Sequence, residues 1–296
     1  MIQSQPSYNT YQNVTCTPKK VVIQGYKGAF HDMAAQMYYQ QEDIEIVPAD
    51  TFEDLVAWIE RGEKANVGLM AIENTVAGSL MYNYDLLRNS ELQIIGEVYL
   101  RIKQNLMTLP NVKIEDLKEV HSHYMALRQC SAFLKQYPHL KLVETIDTAL
   151  SAKEIKENQL TNVGAIGSTL AAEIYGLEII GESIETNKKN FTRFLVLQSK
   201  NQQNLPETVD KVSLCFSINH EVGSLYKVLA VLAAYNVNLT KIQSTPIIGK
   251  PWEYQFFVDF AVEGKVSYEQ ALSAIVPITS DLKVMGAYAK GLHHEY

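Results

Sequence analysis

Apolar and polar positions alternate in two distinct regimes along this chain, and the boundary between them predicts its organisation. Residues 19–25 (KKVVIQG) form a short apolar run that stops at a glycine, which predicts a buried strand. The loop Gly25-Tyr26-Lys27-Gly28 follows, and residues 29–41 carry apolar side chains at helical spacing. IEIVPA (44–49) predicts a second strand. Asp50-Thr51, with Asp54 beyond, predicts a capped helix that runs to Arg61-Gly62. ANVGLMAI (65–72) predicts a third strand, ending at Glu73-Asn74-Thr75-Val76-Ala77-Gly78 before another helical pattern. Strands that alternate with helices imply a parallel or mixed sheet, and ligands of such sheets sit beyond the carboxyl ends of the strands. Glu73 and Asn74 occupy such an end.

Residues 92–109 (LQIIGEVYLRIKQNLMTL) are β-rich and long enough to pass between two lobes. Strand, polar turn and helix then recur over 119–137, 141–157 and 162–177, with Asp147-Thr148 as a helix cap and Gly176 placed to end a helix. An apolar strand begins near Phe191. Residues 199–210 (SKNQQNLPETVD) are polar with one proline, the composition of a linker. Beyond it the order is strand, helix, strand, strand, helix, strand in about 80 residues, a ferredoxin-like pattern. The predicted organisation is a polar tail at 1–18, an α/β unit of two lobes at 19–198, the linker at 199–210 and a βαββαβ module at 211–296.

Composition narrows the function. The chain has 296 residues, 47 % of them hydrophobic, and a net charge of −7. A negative surface without a basic block excludes nucleic acid as an expected partner. No apolar run approaches the length of a membrane span, and the start of the chain has no apolar core of a signal peptide. Three scattered cysteines, Cys16, Cys130 and Cys215, offer neither a metal spacing nor a disulfide framework. A cytoplasmic location is expected, and the sequons at Asn13, Asn190 and Asn238 read as chance matches. No metal and no cofactor are expected.

Glycine-x-x-glycine between a strand and a helix is not a dinucleotide fingerprint. It leaves a backbone that can approach a ligand, and helix-start N–H groups that favour anions. The run ETNKKNFTRFLVL (185–197) places an amide, a hydroxyl and a guanidinium at the mouth of a strand. In an extended strand Asn190 and Thr192 share a face and Arg193 points the other way.

Taken together, these segments resemble a prephenate dehydratase with a C-terminal ACT regulatory domain. The resemblance covers roughly residues 20 to 290 and rests on order and spacing. Its parts are Gly25-x-x-Gly28-Ala29-Phe30, Ile72-Glu73-Asn74, Ser122-His123-x-x-Ala126-Leu127-x-Gln129-Cys130, Asp147-Thr148-Ala149 and Asn190-x-Thr192-Arg193-Phe194. In the last module Gly223-Ser224-Leu225 and WEYQFFVD (252–259) resemble the regulatory signature. The chain departs from the family pattern at Tyr26 and His31 in the first loop, at Thr75 for the usual serine, at Tyr124-Met125, and at Gln243-Ser244-Thr245-Pro246 for Glu-Ser-Arg-Pro.

The resemblance implies a periplasmic-binding-protein-like two-lobed catalytic domain that acts on prephenate without a cofactor. It implies Thr192 as hydrogen-bond donor or proton relay to the departing ring hydroxyl, with Glu73 and Asn74 as catalytic partners. Asn190, Arg193, Phe194, Ser122, Gln129, Thr75, Gly28, Ala29 and Phe30 are the implied substrate contacts. Arg193 is either a carboxylate clamp or a brace behind the site. His31 reads as a packing or solvated histidine rather than a cation. In the regulatory module Asn219, His220, Val222, Gly223, Ser224, Leu225, Gln243, Ser244 and Thr245 are implied to bind the product-derived effector, L-phenylalanine. Open sheet edges imply a homodimer or homotetramer. The rival readings are an arogenate dehydratase and a two-lobed amino-acid-binding sensor without catalysis.

Overall fold

A computed structural model describes residues 17–202, 208–262, 267–291 and 293–294. Most of the polar tail with Cys16 and the Asn13 sequon, and the centre of the linker, lie outside the described residues. The first lobe contains β1 (Lys19–Gln24), α1 (Phe30–Tyr38), β2 (Ile44–Ala49), α2 (Phe52–Arg61), β3 (Val67–Asn74), β4 (Gly78–Ser79), α3 (Met81–Asn89) and β5 (Leu92–Arg101). The second lobe contains β6 (Asn105–Thr108), β7 (Glu119–His123), α4 (Tyr124–Gln129), α5 (Ser131–Leu134), β8 (Lys141–Thr145), α6 (Thr148–Glu157), β9 (Val163–Gly167), α7 (Thr169–Tyr175) and β10 (Glu178–Gly181). The strand β11 (Phe191–Ser199) returns to the first lobe. The C-terminal module follows with β12 (Lys211–Ser217), α8 (Ser224–Ala234), β13 (Asn238–Pro246), β14 (Tyr254–Ala261), α9 (Tyr268–Ile275) and β15 (Ser280–Tyr288), and then the short β16 (His293–His294).

The first lobe is a mixed sheet in the order β2-β1-β3-β11-β5, and the second a separate sheet in the order β10-β6-β9-β7-β8. The β-rich run at 92–109 is therefore two strands in two sheets. The chain crosses between lobes at 102–104 and again at 182–190. Backbone bonds join the crossings: Ile102 N–H donates to Asn190 O at 2.8 Å, and Ile184 N–H to Gln104 O at 2.7 Å.

Strand β3 explains why this lobe reads as apolar on both faces. Val67, Leu69 and Ala71 pack with Ala34 and Ala35 of α1, whereas Met70 and Ile72 pack with Leu55 and Ile59 of α2 and Tyr84 of α3. The second cluster does not end at the lobe. It includes Cys215, Phe257, Met285 and Tyr288 of the C-terminal module.

That module is a βαββαβ unit whose sheet, β13-β14-β12-β15, continues the first lobe's sheet across β15 and β5. The join is tight: a Cβ at Gly286 would lie 2.3 Å from the Ile94 carbonyl oxygen. Buried charges sit behind it. Arg193 donates to Glu97 at 2.7 Å, to Asp259 at 2.5 Å and to the Tyr288 hydroxyl at 2.9 Å, and Lys211 reaches Glu97 at 2.9 Å. Burial, with Arg193 nearby, pulls the Lys211 ammonium below its usual range. Lys283 places its ammonium 2.6 Å from the carbonyls of Arg88 and Ser90, where the C-terminus of α3 presents negative dipole ends. Cys130 and Cys215 are buried free thiols, and burial pushes Cys130 up to about 12.

Candidate active site

A cavity of about 540 Å³ lies between the two lobes. Its first-lobe wall carries Ala29, Phe30, His31, Asn74, Thr192 and Phe194, and its second-lobe wall carries His123, Gln129, Asp147 and Thr148. A local irregularity in β3 makes that wall. Thr192 pairs with Asn74 and Arg193 with Glu73, but Phe194 pairs with Ala71, so Ile72 is an extra residue. Strict alternation would place Asn74 on the Met70 and Ile72 face, away from the cavity. The bulge re-aims it onto the face of Thr192.

The hydrogen bonds fix which way each amide faces. Asn74 Oδ1 accepts from the backbone N–H of Val76 at 2.9 Å and Ala77 at 2.8 Å. Its Nδ2 must then be the donor, to Asn190 Oδ1 at 2.7 Å and Thr192 Oγ1 at 2.9 Å. Asn190 in turn donates from Nδ2 to Gln129 Oε1 at 3.0 Å, which links the lobes. Because Thr192 Oγ1 receives the Asn74 amide, its own O–H is left to donate elsewhere. Asn190 is 1 % exposed, so a glycan has no access there.

The expected site residues divide into three groups. Asn74, Asn190, Thr192 and Gln129 come together, and Ala29, Phe30 and Phe194 line the same cavity. Gly28 and Thr75 stand behind the wall. Gly28 has φ +89° and donates its N–H to Asp32, and a Cβ there would lie 2.8 Å from Ala171 of the second lobe. Thr75 donates to Lys189 O at 2.8 Å and accepts from Phe191 N–H at 2.9 Å, clasping the ends of β3 and β11.

Three residues are placed elsewhere. Arg193 faces Glu97 and Asp259, so its side chain lies behind the site and off the cavity wall. Glu73 lies on the same face through the bulge and pairs with Lys241 of the C-terminal module at 2.9 Å, off the cavity wall. Ser122 is fully buried and donates to Ile166 O at 2.6 Å; the cap of α4 is His123, whose Nδ1 accepts from Met125 N–H.

Sequence reasoning missed Gln104. It is 3 % exposed on the cavity wall at the first crossing, donates to Gln129 Oε1 at 3.3 Å, and its Oε1 has no partner among the described residues. Its position between two strands of different sheets was the available signal.

Among the described residues no lysine or arginine lines the cavity. Helix starts, with the positive ends of their dipoles, face it instead. Residues of α1, α2, α4 and α6 all open onto it. Thr51 caps α2 and Asp147 caps α6, whereas among the described residues no side chain caps α1, which leaves its first N–H groups at Phe30 and His31 able to meet an anion. Asp50 and Glu53 sit exposed at the rim. His31 Nε2 accepts from Ala71 N–H at 3.2 Å, so the neutral ring carries its proton on Nδ1, and burial pulls its pKa down to about 3. A histidine kept neutral in the fold and free to protonate near 6.5 when unfolded destabilises the native state as pH falls. Stability should fall as pH drops from about 6.5 towards 3, and His31→Gln should flatten that slope in a series of melting temperatures against pH. An unchanged slope would contradict a neutral His31.

In the C-terminal module a cavity of about 410 Å³ is walled by Asn219, His220, Gly223, Ser224 and Leu225. Gly223 has φ +81° and starts α8. Val222 is fully exposed and off this wall. Gln243, Ser244 and Thr245 are also off it: β13 lies beyond β14, which separates it from β12 and the loop that follows. Trp252, Tyr254 and Phe256 supply an aromatic wall that sequence reasoning did not assign.

With this geometry in place, residues 21–202 match the family described as prephenate dehydratase. The bifunctional chorismate mutase/prephenate dehydratase of Buchnera aphidicola is 34 % identical over 92 % of this chain and 71 % of that protein. Arogenate dehydratase 2 of Petunia hybrida is 37 % identical over 91 % of this chain and 71 % of its own. The structure of a prephenate dehydratase from Arthrobacter aurescens in complex with L-Phe superposes with a TM-score of 0.80 at 26 % identity, covering 91 % of this chain and 89 % of that one. The structure of GqqA, described as a novel type of quorum-quenching acylase, superposes with a TM-score of 0.81 at 28 % identity, covering 92 % and 98 %. The fold is thus the two-lobed α/β class seen in those structures. The chain belongs to the prephenate dehydratase family.

Proposed function

We propose that this chain converts prephenate to phenylpyruvate. The observation that carries the reading is the pair Asn74 and Thr192 on one wall of the interlobe cavity, with Asn190 accepting from Asn74 and the Thr192 O–H left to donate. Prephenate carries a ring carboxylate, a ring hydroxyl and a pyruvyl side chain. The C–C bond to the ring carboxylate breaks and CO2 departs. Its electron pair enters the ring, the C–O bond breaks, and the hydroxyl takes a proton supplied from solvent to leave as water. Aromatisation supplies the driving force, so the protein has to hold, orient and assist departure.

The uncapped start of α1 seats one carboxylate. Phe30 and Phe194 pack on the ring, while the Gln129 amide, whose Oε1 accepts from Gln104 and Asn190, donates its N–H groups to the acceptor oxygens of the pyruvyl side chain. Thr192 is too weak an acid to surrender its proton alone. It donates a hydrogen bond to the leaving oxygen, held in place by the Asn74 amide. Acyl transfer, the chemistry named for GqqA, needs a base beside the nucleophile. Here the oxygen of Thr192 meets an amide donor, which favours the lyase reading.

The C-terminal module serves as an ACT-type sensor of L-phenylalanine, the ligand in the Arthrobacter aurescens structure, and its glycine-led helix start suits an amino-acid carboxylate. The outer edge of β13 is the surface through which a homodimer or larger assembly forms, and the setting is the cytoplasm.

The test is phenylpyruvate formation by the purified full chain, without added metal or cofactor, on prephenate and arogenate side by side. The reading expects turnover of prephenate, and faster turnover than on arogenate. Faster turnover of arogenate would move the assignment to an arogenate dehydratase. Binding without turnover would leave a sensor.

A further inference from the structure

We propose that Lys241, in the C-terminal module, is a positioning residue for the reaction in the catalytic cavity. This rests on the dehydratase reading above. Lys241 lies on β13, whose pairing with β14 shifts register between Leu239 and Lys241. The shift lets Leu239 pack in the module's own core while Lys241 turns to the first lobe. Its side chain is 9 % exposed, and its ammonium donates to Glu73 Oε2 at 2.9 Å and Ser79 Oγ at 2.8 Å. Glu73 precedes Asn74 at the β3 bulge, and Ser79 sits on the short strand that pairs back onto Glu73. One lysine thus ties both sides of the turn that presents the Asn74 amide.

The grip closes on itself. Lys241 is directly opposite Asp259 on β14, and Asp259 holds Arg193. Arg193 follows Thr192 in sequence, and Thr192 accepts from Asn74, the neighbour of Glu73. Two adjacent strands of the C-terminal module therefore grip both catalytic strand ends from behind, Asp259 through Arg193 and Lys241 through Glu73. Asn74 and Thr192 meet because both neighbours are held. Lys241 touches no cavity wall, so its loss should loosen the alignment of the donor without removing a substrate contact.

The experiment uses the full chain with Lys241→Met, which keeps the apolar stem, Lys241→Arg as the conservative variant, and Glu73→Gln. Lys241→Met should lower kcat on prephenate about tenfold, the size of one misaligned hydrogen-bonded contact, with KM within about threefold of wild type on the same basis. Lys241→Arg should recover most of that loss, and Glu73→Gln combined with Lys241→Met should be no worse than Lys241→Met alone. Amide hydrogen exchange gives a readout independent of substrate: residues 72–79 should exchange faster in Lys241→Met while the second lobe is unchanged. Wild-type kcat in Lys241→Met, a loss carried by KM alone, or unaltered protection of 72–79 would overturn the proposal. An inactive wild type with faster exchange of 72–79 in Lys241→Met would instead count against the dehydratase reading and leave the tether standing.

Discussion

Thr192→Ala should lower kcat on prephenate by about 10²- to 10³-fold, the range for loss of a group that assists proton transfer to a leaving group, while the protein stays folded. The fold tolerates the change because the hydroxyl is not a keystone of it. Asn74 Nδ2 keeps Asn190 Oδ1 and the Phe191 carbonyl as acceptors when Thr192 Oγ1 is gone. The loss should fall on kcat more than KM, since contact with the departing oxygen strengthens as negative charge develops on it. Thr192→Ser keeps the hydroxyl and should keep most of the rate. Steady-state kinetics with thermal melts of both variants check this. A Thr192→Ala enzyme with near wild-type kcat would remove Thr192 from the chemistry.

Arg193→Met should be the most destabilising single change near the site, by about 3–5 kcal/mol in chemical denaturation, the cost of leaving buried charges without their partner. Glu97 would keep Lys211, but Asp259 would lose its ion-pair partner at the join between the first lobe and the C-terminal module. Burial opposes the Arg193 charge, but Asp259, Tyr288 and Glu97 outweigh it and hold the guanidinium charged, its pKa raised well above the usual value. The outcome separates a brace from a clamp. A clamp on substrate would show a raised KM with little change in stability; a brace shows lost stability first. A variant as stable as wild type with KM raised tenfold would return Arg193 to the substrate.

How much of this was legible in the sequence depends on how local each feature is. The strand-glycine-helix start at 19–38, the Thr51 and Asp147 caps and the αL glycine ending α7 depend on neighbouring residues, and the structure has them where the pattern predicts. The shared face of Asn190 and Thr192 follows from strand period. The facing of Glu73 does not, because one extra residue at Ile72 inverts the period, and nothing in IENT announces a bulge. Ser122, implied as a substrate contact, is instead turned inward, its hydroxyl spent on a neighbouring strand of the second-lobe sheet. The roles of Arg193 and Lys241 depend on where a separate module docks, which no local window contains. The same holds for Gln243 to Thr245: strand order, not sequence distance, sets them apart from the Gly223 loop. Gln104 was hidden for the opposite reason, as a polar residue in a run whose apolar neighbours dominated the reading.

The central claim is that the Asn74 amide orients the Thr192 hydroxyl as donor to the leaving group. A double-mutant cycle on kcat tests it most directly, with Asn74→Leu, Thr192→Val and the pair. Groups that act as one unit lose their effect together. The account predicts that the double variant is about as slow as Thr192→Val alone, to within a few-fold. Losses that multiply independently would contradict it.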